Sequence, residues 1–425
     1  MQSEWRVFVA AAMAAGLGAL TSIPGALAQS SPIISFPTIK CHGTGNIALD
    51  DRIAGCTALI ESSAATLRSL NMARLRRAMF HVQKGEMELA IADYDAILAR
   101  DADNVPARLA RASAHLRKHD NDAALADYDR VIESDPQSIY ALNGRALVYL
   151  ATANPDSAIA DYGRVLLIHP ENVGAYVGRS GAYRAKQDPE RALADCNKAI
   201  EISPEREYGY LCRGAAYRDQ DQIDRAVADF ERATELNPKN LQGDLNLASA
   251  HERRGDMEAA LARLDQAFKI DADNAVLHRA RGVARLESGG SREAIEDFGR
   301  AAELRPRDSY VQLWLDLARR RSGEPSELAE SSKQLDMSEW PAPVVRFYLG
   351  GLTFGALLVA AEDPDPNKRK GQVCEANFYA GELTLANGAQ DEALKLLRVA
   401  TDVCPKHFVE WPAAHAELRR LGSGR

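Results

Sequence analysis

Short alanine-led strings of alternating apolar and acidic character recur along the chain at a fixed interval. AIADYD begins at Ala90, ALADYD at Ala124, AIADYG at Ala158, ALADCN at Ala192, AVADFE at Ala226, ALARLD at Ala260 and AIEDFG at Ala294, each 34 residues after the one before. Twelve residues beyond the alanine stand Pro136, Pro170, Pro204, Pro238 and Pro306, with Ala102 and Ala272 in that place in the first and sixth units. Proline there ends a helix, because it has no amide hydrogen and its ring collides with the preceding turn. Twelve residues before the alanine stand Ala78, Ala112, Ala146, Ser180, Gly214, Ala248 and Gly282, small enough to let two helices approach closely, and Tyr149, Tyr183 and Tyr217 follow three residues on. Seven in-phase units run from Asn71 to Asp308. A unit of this size cannot bury both its faces alone, so neighbours must stack and the ends must be capped.

Outside that run the phase changes. Asp51 to Glu61 reads as an amphipathic helix, a half-repeat able to shield the helix that carries Met72. After Pro306 a helix is expected from Ser309 to Arg321, then a turn at Gly323-Glu324-Pro325, then Trp340-Pro341-Ala342-Pro343 opening VVRFYLGGLT. Val344 to Ala361 is apolar, but Arg346 and its glycines and threonines mark it as helix packed on protein, not a membrane span. From Cys374 a further helix pair repeats the small residue, alanine and proline at Gly381, Ala393 and Pro405, an eighth and displaced repeat, and a last helix follows Pro412. At the other end, Arg6 precedes an apolar and small-residue run from Val7 to Leu20, followed by Pro24 and Ala26-Leu27-Ala28. That is the layout of a secretory signal peptide cut after Ala28, and with the first cysteine only at Cys41 it predicts an exported, soluble chain without a lipid anchor. The expected division is 1–28 signal peptide, 29–70 N-terminal cap, 71–308 seven repeats, 309–373 helical connecting segment, and 374–425 displaced repeat and capping helix.

Composition narrows the class. The 425 residues exceed the roughly 250–300 that one core can serve. Hydrophobic residues at 46% and charged residues at 26% exclude overall disorder, while aromatics at only 6% with abundant alanine favour helix over sheet. A net charge of -8 with scattered basic residues argues against nucleic acid and anionic membrane partners. Export favours disulfides among the six cysteines. Cys374 and Cys404 each lie about 15 residues from the turn near Ala389 and should stand level in an antiparallel pair. Cys41 and Cys56 would close a loop in the cap. Cys196 and Cys212 flank Pro204 symmetrically, though one normally points inward and the other toward the groove, which leaves that bond open.

The seven units resemble the tetratricopeptide repeat (TPR) family. That resemblance implies an all-α fold, with antiparallel helix pairs stacked in a right-handed superhelical solenoid whose first helices line a concave groove. Groove positions carried over from it are Tyr140, Asn143 and Leu147 in the third repeat, Gly174, Val177, Gly181 and Arg184 in the fourth, and Tyr208, Leu211, Ala215 and Arg218 in the fifth. Tyrosine would supply rigid contact area and arginine a fork for a carboxylate. The lysine/asparagine clamp of chaperone-binding members is not present. From Arg305 to Gly422 the strings SYVQLWLDLA, Trp340 with FYLG, NFYAGELTLANG and HFVEWPAAHAELRRLG resemble the end of the NlpI-type periplasmic TPR proteins. This second resemblance implies an adaptor that brings a peptidoglycan hydrolase together with a C-terminal-processing protease, usually as a homodimer.

Catalytic patterns are missing: there is no HExxH, CxxC, CxxCH, GxSxG or phosphate-cradling glycine loop, so no catalytic residue, metal site or cofactor is expected. His81, His115 and His251 stand where other repeats have tyrosine, which makes them packing residues. Asp93, Asp127, Asp161, Asp195, Asp229 and Asp297 recur at one position and read as solvated helix faces. Arg77, Arg111, Arg145, Arg179, Arg213 and Arg281 recur likewise, either with packed stems and heads paired to repeat acids or as an electropositive groove. The leading reading is an exported, non-enzymatic scaffold for protein or peptide partners in the periplasm. The alternatives are a peptidoglycan-active or redox enzyme using Cys41 and His42, and a structural subunit of an envelope complex.

Overall fold

A computed structural model describes residues 40–41, 47–62, 66–406 and 408–422; the signal-peptide segment 1–28 and His42 lie outside them. The described residues form 22 α-helices and no strand. Helix α1 (Leu49–Glu61) precedes seven pairs: α2 (Leu67–Lys84) with α3 (Met87–Leu98), α4 (Val105–Arg117) with α5 (Asn121–Ser134), α6 (Ile139–Ala151) with α7 (Pro155–Ile168), α8 (Val173–Ala185) with α9 (Pro189–Ile202), α10 (Glu207–Asp219) with α11 (Ile223–Leu236), α12 (Leu241–Arg254) with α13 (Met257–Phe268), and α14 (Ala275–Glu287) with α15 (Ser291–Leu304). Then come α16 (Ser309–Ser322), the single turn α17 (Leu328–Ser331), α18 (Ala342–Tyr348), α19 (Phe354–Ala360), α20 (Pro366–Ala386), α21 (Gln390–Val403) and α22 (Glu410–Gly422). The chain divides into two compact units, one ending at Ser203 and one beginning at Pro204. The first holds α1 and repeats one to four, and the second holds repeats five to seven and the C-terminal helices.

Each repeat is punctuated the same way. Asn104, Asp120, Asn154, Asn172 and Asp188 cap their helices by accepting from a backbone N–H of the first turn, a contribution of about 1 kcal/mol apiece. The turn inside each pair places one residue in the left-handed region, at Gly85, His119, Ala153, Gln187, Asp221, Gly255 and Gly289, spaced by 34. Pro136, Pro170, Pro204, Pro238 and Pro306 each follow the residue that ends a second helix, where no further turn can form.

Two expectations change. The helix read as starting at Cys374 starts at Pro366, because Asp365 caps it through the Asn367 N–H and proline suits its first position. The apolar stretch from Val344 to Ala361 is two short helices, α18 and α19, because Gly350 takes φ 75° and ends the first. Around these short helices the second unit builds an aromatic core from Phe298, Trp314, Tyr348, Phe378 and Tyr379.

Packing within the repeats depends on rings meeting gaps. A Cβ added at Gly144 would lie 2.3 Å from the Tyr128 ring, and one at Gly178 would lie 2.4 Å from the Tyr162 ring, so the first helix of one repeat seats on the aromatic of the preceding one. The six aspartates are not solvated. Asp93, Asp127, Asp161, Asp195, Asp229 and Asp297 are all buried, each gripped by the arginine 16 residues before it. In the third repeat Arg145 Nε donates to Asp161 Oδ2 at 2.8 Å and Nη2 to Oδ1 at 2.7 Å, while Nη1 reaches back to Asp129 of the preceding repeat at 2.7 Å. Arg111 and Arg281 reach Asp95 and Asp265 in the same way. The sixth repeat lacks both partners at once, with buried Leu247 in place of the arginine and Arg263 in place of the aspartate.

Two stability measurements check this packing. Gly178→Ala should destabilise the protein by about 1–3 kcal/mol in urea unfolding, since the Tyr162 ring has nowhere to go. Asp161→Ala removes the fork on Arg145, which keeps only Asp129, and should cost about 1–3 kcal/mol, while Arg145→Leu combined with Asp161→Ala should cost clearly less than the sum of the two single changes.

Candidate functional site

In the N-terminal unit the first helices α6 and α8 touch each other and present a shared face. Tyr140, Asn143 and Leu147, spaced by three and four on α6, lie on one side of that helix, and Val177, Gly181 and Arg184 do so on α8. Tyr140 is 55% exposed, a large aromatic with no packing reason to be there. Asn143 and Leu147 are half-buried, and Asn143 Oδ1 is shielded from water without a hydrogen-bond partner. Val177 and Arg184 are half-buried, while Gly181 is buried and forms the floor. The repeat arginines here are spent: Arg179 holds Asp195 and lies near the Tyr176 and Tyr183 rings at 5.6 and 5.9 Å. The face is therefore not an electropositive groove made by that arginine row.

The remaining groove candidates, Tyr208, Leu211 and Arg218, belong to α10 in the second unit. Leu211 is buried, and Arg218 is only 5% exposed. The Arg218 carbonyl accepts from Arg253 Nη1 at 2.9 Å. What lies nearby is the protein's own C-terminal segment. Arg253 sits 5.5 Å from the Trp411 ring centre and pairs with Asp221 at 2.9 Å; Lys406 reaches the same Asp221 at 3.0 Å and the same ring at 5.8 Å. Burial and the neighbouring Arg218 charge both make the Arg253 guanidinium easier to deprotonate than usual.

Beneath α22 the second unit buries carboxylates that sequence reasoning missed. Glu375 Oε2 accepts from Trp340 Nε1 at 2.7 Å and from the Tyr310 hydroxyl at 2.9 Å. Burial, then the neighbouring Glu410, pushes Glu375 up to about 8. Glu410, raised by burial, accepts from the Tyr379 hydroxyl at 3.3 Å. Arg321 bridges Glu382 and Glu417, each at 2.6 Å. Glu287 has both oxygens shielded without a partner, and burial pushes it up to about 8 as well. Glu252 is raised well above the carboxylate range by burial and by Glu287. The signal that could have found some of them is visible in NFYAGELTLA, where Asn377 and Glu382 interrupt an otherwise apolar helix.

Cys41 is buried and bonded to Cys56, with 4.7 Å between Cα atoms, and Cys374 is bonded to Cys404 across α20 and α21 at 4.6 Å. Cys196 and Cys212 are disulfide-bonded too, and no cysteine among the described residues is free. His81 Nδ1 lies 2.7 Å from Glu86 and His115 Nδ1 lies 3.1 Å from Asp120, contacts across the turn inside a pair. Among the described residues no three histidine, cysteine or acidic side chains converge as metal ligands would, and no helix is long and apolar enough to cross a membrane.

The family model for the tetratricopeptide repeat matches residues 75–139, 109–168 and 143–207, and a second model of the same repeat matches 217–283. The chain is a tetratricopeptide repeat protein. Among solved structures, a TPR protein from Parabacteroides merdae is 20% identical, covering 58% of this chain and 98% of its own, with a TM-score of 0.48. The APC/C hetero-tetramer Cut9-Hcn1 is 13% identical over 90% of this chain and 68% of that one, with a TM-score of 0.50. YrrB, described as a TPR protein with an unusual peptide-binding site, is 20% identical over 43% of this chain and 94% of its own, with a TM-score of 0.31. These identities speak to the fold alone.

In this TPR protein the buried acids make stability depend on pH in one direction. Glu375 and Glu287 have folded pKa values raised above their unfolded ones, so their contribution is complete below the ordinary carboxylate range and is lost as pH rises through about 8. The melting temperature should be lower at pH 9 than at pH 6, and Glu375→Gln, which keeps an acceptor for Trp340 and Tyr310 without the charge, should flatten that difference.

Proposed function

We propose that this TPR protein is a non-enzymatic scaffold of the cell envelope that docks protein or peptide partners on the α6–α8 face of its N-terminal unit. One observation carries the reading: Tyr140, a large aromatic 55% exposed, stands on that face beside the half-buried Asn143 and Leu147. Tyr140 adds rigid apolar area at low entropic cost. Leu211 and Arg218, already covered, are poorer docking groups than Tyr140, Asn143, Leu147, Val177 and Arg184.

Three features support the finer reading. Bonded cysteines suit an oxidising compartment, in keeping with the Ala26-Leu27-Ala28 cleavage pattern. Cys41, bonded to Cys56, offers no thiolate for nucleophilic chemistry, which removes the support for the enzyme alternative. The C-terminal strings favour periplasmic partners, a peptidoglycan hydrolase and a C-terminal-processing protease, with the adaptor acting as a homodimer.

The test is capture from an envelope extract with the full chain as bait, partners identified by mass spectrometry and their affinities then measured singly. Tyr140→Ala with Asn143→Ala should weaken a hydrolase or protease partner by about 1–2 kcal/mol while leaving helicity unchanged. Equal affinity for the double variant would move docking off this face.

A further inference from the structure

Helix α2 opens the repeat stack, and among the described residues no first helix precedes it. Further along, neighbouring first helices touch, α4 with α6 and α6 with α8. Helix α1 packs on α2, but on the side where Cys41 and Cys56 cluster with Ala73 and Phe80. The adjoining face of α2 stays open: Met72 is 42% exposed and Met79 48%, with the half-buried Leu75 between them. Spaced by three and four, these side chains form one stripe about 10 Å long, at roughly 1.5 Å per residue. The end of a stacked array normally turns polar side chains to water. A methionine stripe there leaves the cap unfinished.

Beside the stripe lies the point from which the chain's own N-terminal segment extends. Cys41, bonded to Cys56, packs with the residues that directly follow the two methionines, and Lys40 before it pairs with Asp51. Residues 32–39, PIISFPTI, carry no charge and lie outside the described residues. Pro32 and Pro37 disfavour a helix, and the residue before each is biased to extended backbone. In a polyproline II form, Ile33, Phe36 and Ile39 share one side at intervals of about 9 Å, close to the separation of Met72 and Met79. Eight residues in that form reach about 25 Å, enough to follow the whole stripe from a start at Lys40.

We infer that residues 32–39 dock on the Met72, Leu75 and Met79 stripe of the same chain as an extended segment, with Ile33 and Phe36 over the methionines, and so complete the cap of the first repeat. Methionine suits that role, because a thioether favours the edge of an aromatic ring and its unbranched chain adapts to an irregular neighbour. Arg68 and Arg76, four residues to either side of Met72, offer donors to the carbonyls that an extended backbone leaves unpaired. The short tether makes the contact intramolecular, with an effective concentration on the order of 1 mM, so a small contact area suffices. Met72 and Met79 stand two repeats before Tyr140 and Leu147. The segment therefore takes the first-repeat end of that row of positions and leaves α6 and α8 open. It needs no partner protein, so it stands or falls apart from the function proposed above.

The full-length chain with p-benzoylphenylalanine in place of Phe36 tests the docking. Irradiation should join residue 36 to the α2 peptide holding Met72 or Met79 within one chain, and Met72→Glu with Met79→Glu should remove most of that product. In chains without the photoprobe, peroxide should oxidise Met72 and Met79 about fivefold more slowly in the native protein than in Ile33→Ser with Phe36→Ser, while Met257 oxidises at the same rate in both. Cross-links mainly to another part of the chain or to a second copy would overturn the proposal. So would equal oxidation of the two methionines in native and variant chains, which leaves the stripe free for a partner protein.

Discussion

The fork of an arginine on a buried aspartate is the contact on which the repeat stack depends. The repeat cores set alanines beside one ring and several leucine, valine or isoleucine side chains per pair, and apolar contacts alone fix height and rotation poorly. Two parallel hydrogen bonds from one guanidinium to one carboxylate fix both. Where the third donor reaches the previous repeat, as from Arg145 to Asp129, the same side chain also sets the spacing between units. Repeat six shows the alternative. Leu247 and Arg263 replace both partners together, and a buried leucine occupies the position. Losing one partner alone would leave a charge without its counterpart in a site closed to water, which explains why the pair is kept or dropped as a whole.

The C-terminal helices follow a different economy. Their core is aromatic, with Trp314 and Phe378 centred 5.5 Å apart and Tyr348 and Tyr379 5.9 Å apart, and the Tyr348 hydroxyl donates to the Tyr379 carbonyl at 3.0 Å. Such a core supplies far more apolar burial than the alanine layers, and it tolerates the carboxylates set into its rim. Glu375 is held near neutrality by burial, so it acts as an acceptor for Tyr310 and Trp340 without the full cost of an ion. The consequence is a region whose hold weakens as the solution becomes alkaline, in contrast to the arginine–aspartate pairs of the repeats.

The two units expose their first helices differently. In the N-terminal unit α6 leaves the Tyr140 ring facing outward. In the second unit the corresponding helices carry Arg218, whose carbonyl accepts from Arg253, and Arg253, which lies against Trp411 of the C-terminal segment. One repeat pattern thus produces an open surface in one place and an occupied one in another, because the charges at the ends of the first helices differ.

The sequence by itself determined the helix pairs, their phase and their ends, because proline, small residues and alanine act through local sterics that any neighbour inherits. It also brought Cys374 and Cys404 level, since residues equally far from the turn of an antiparallel pair stand at the same height. Tertiary structure alone decided the rest. The repeat aspartates read as solvated because an isolated amphipathic helix would expose them; only the second helix of the pair, lying under an arginine from the first, takes them out of water. Arg218 read as an open groove residue because nothing in its own repeat covers it, and Arg253 and the residues around Trp411 come from far along the chain. Burial and charge pairing are sums over neighbours, and neighbours distant in sequence are what a local pattern does not contain.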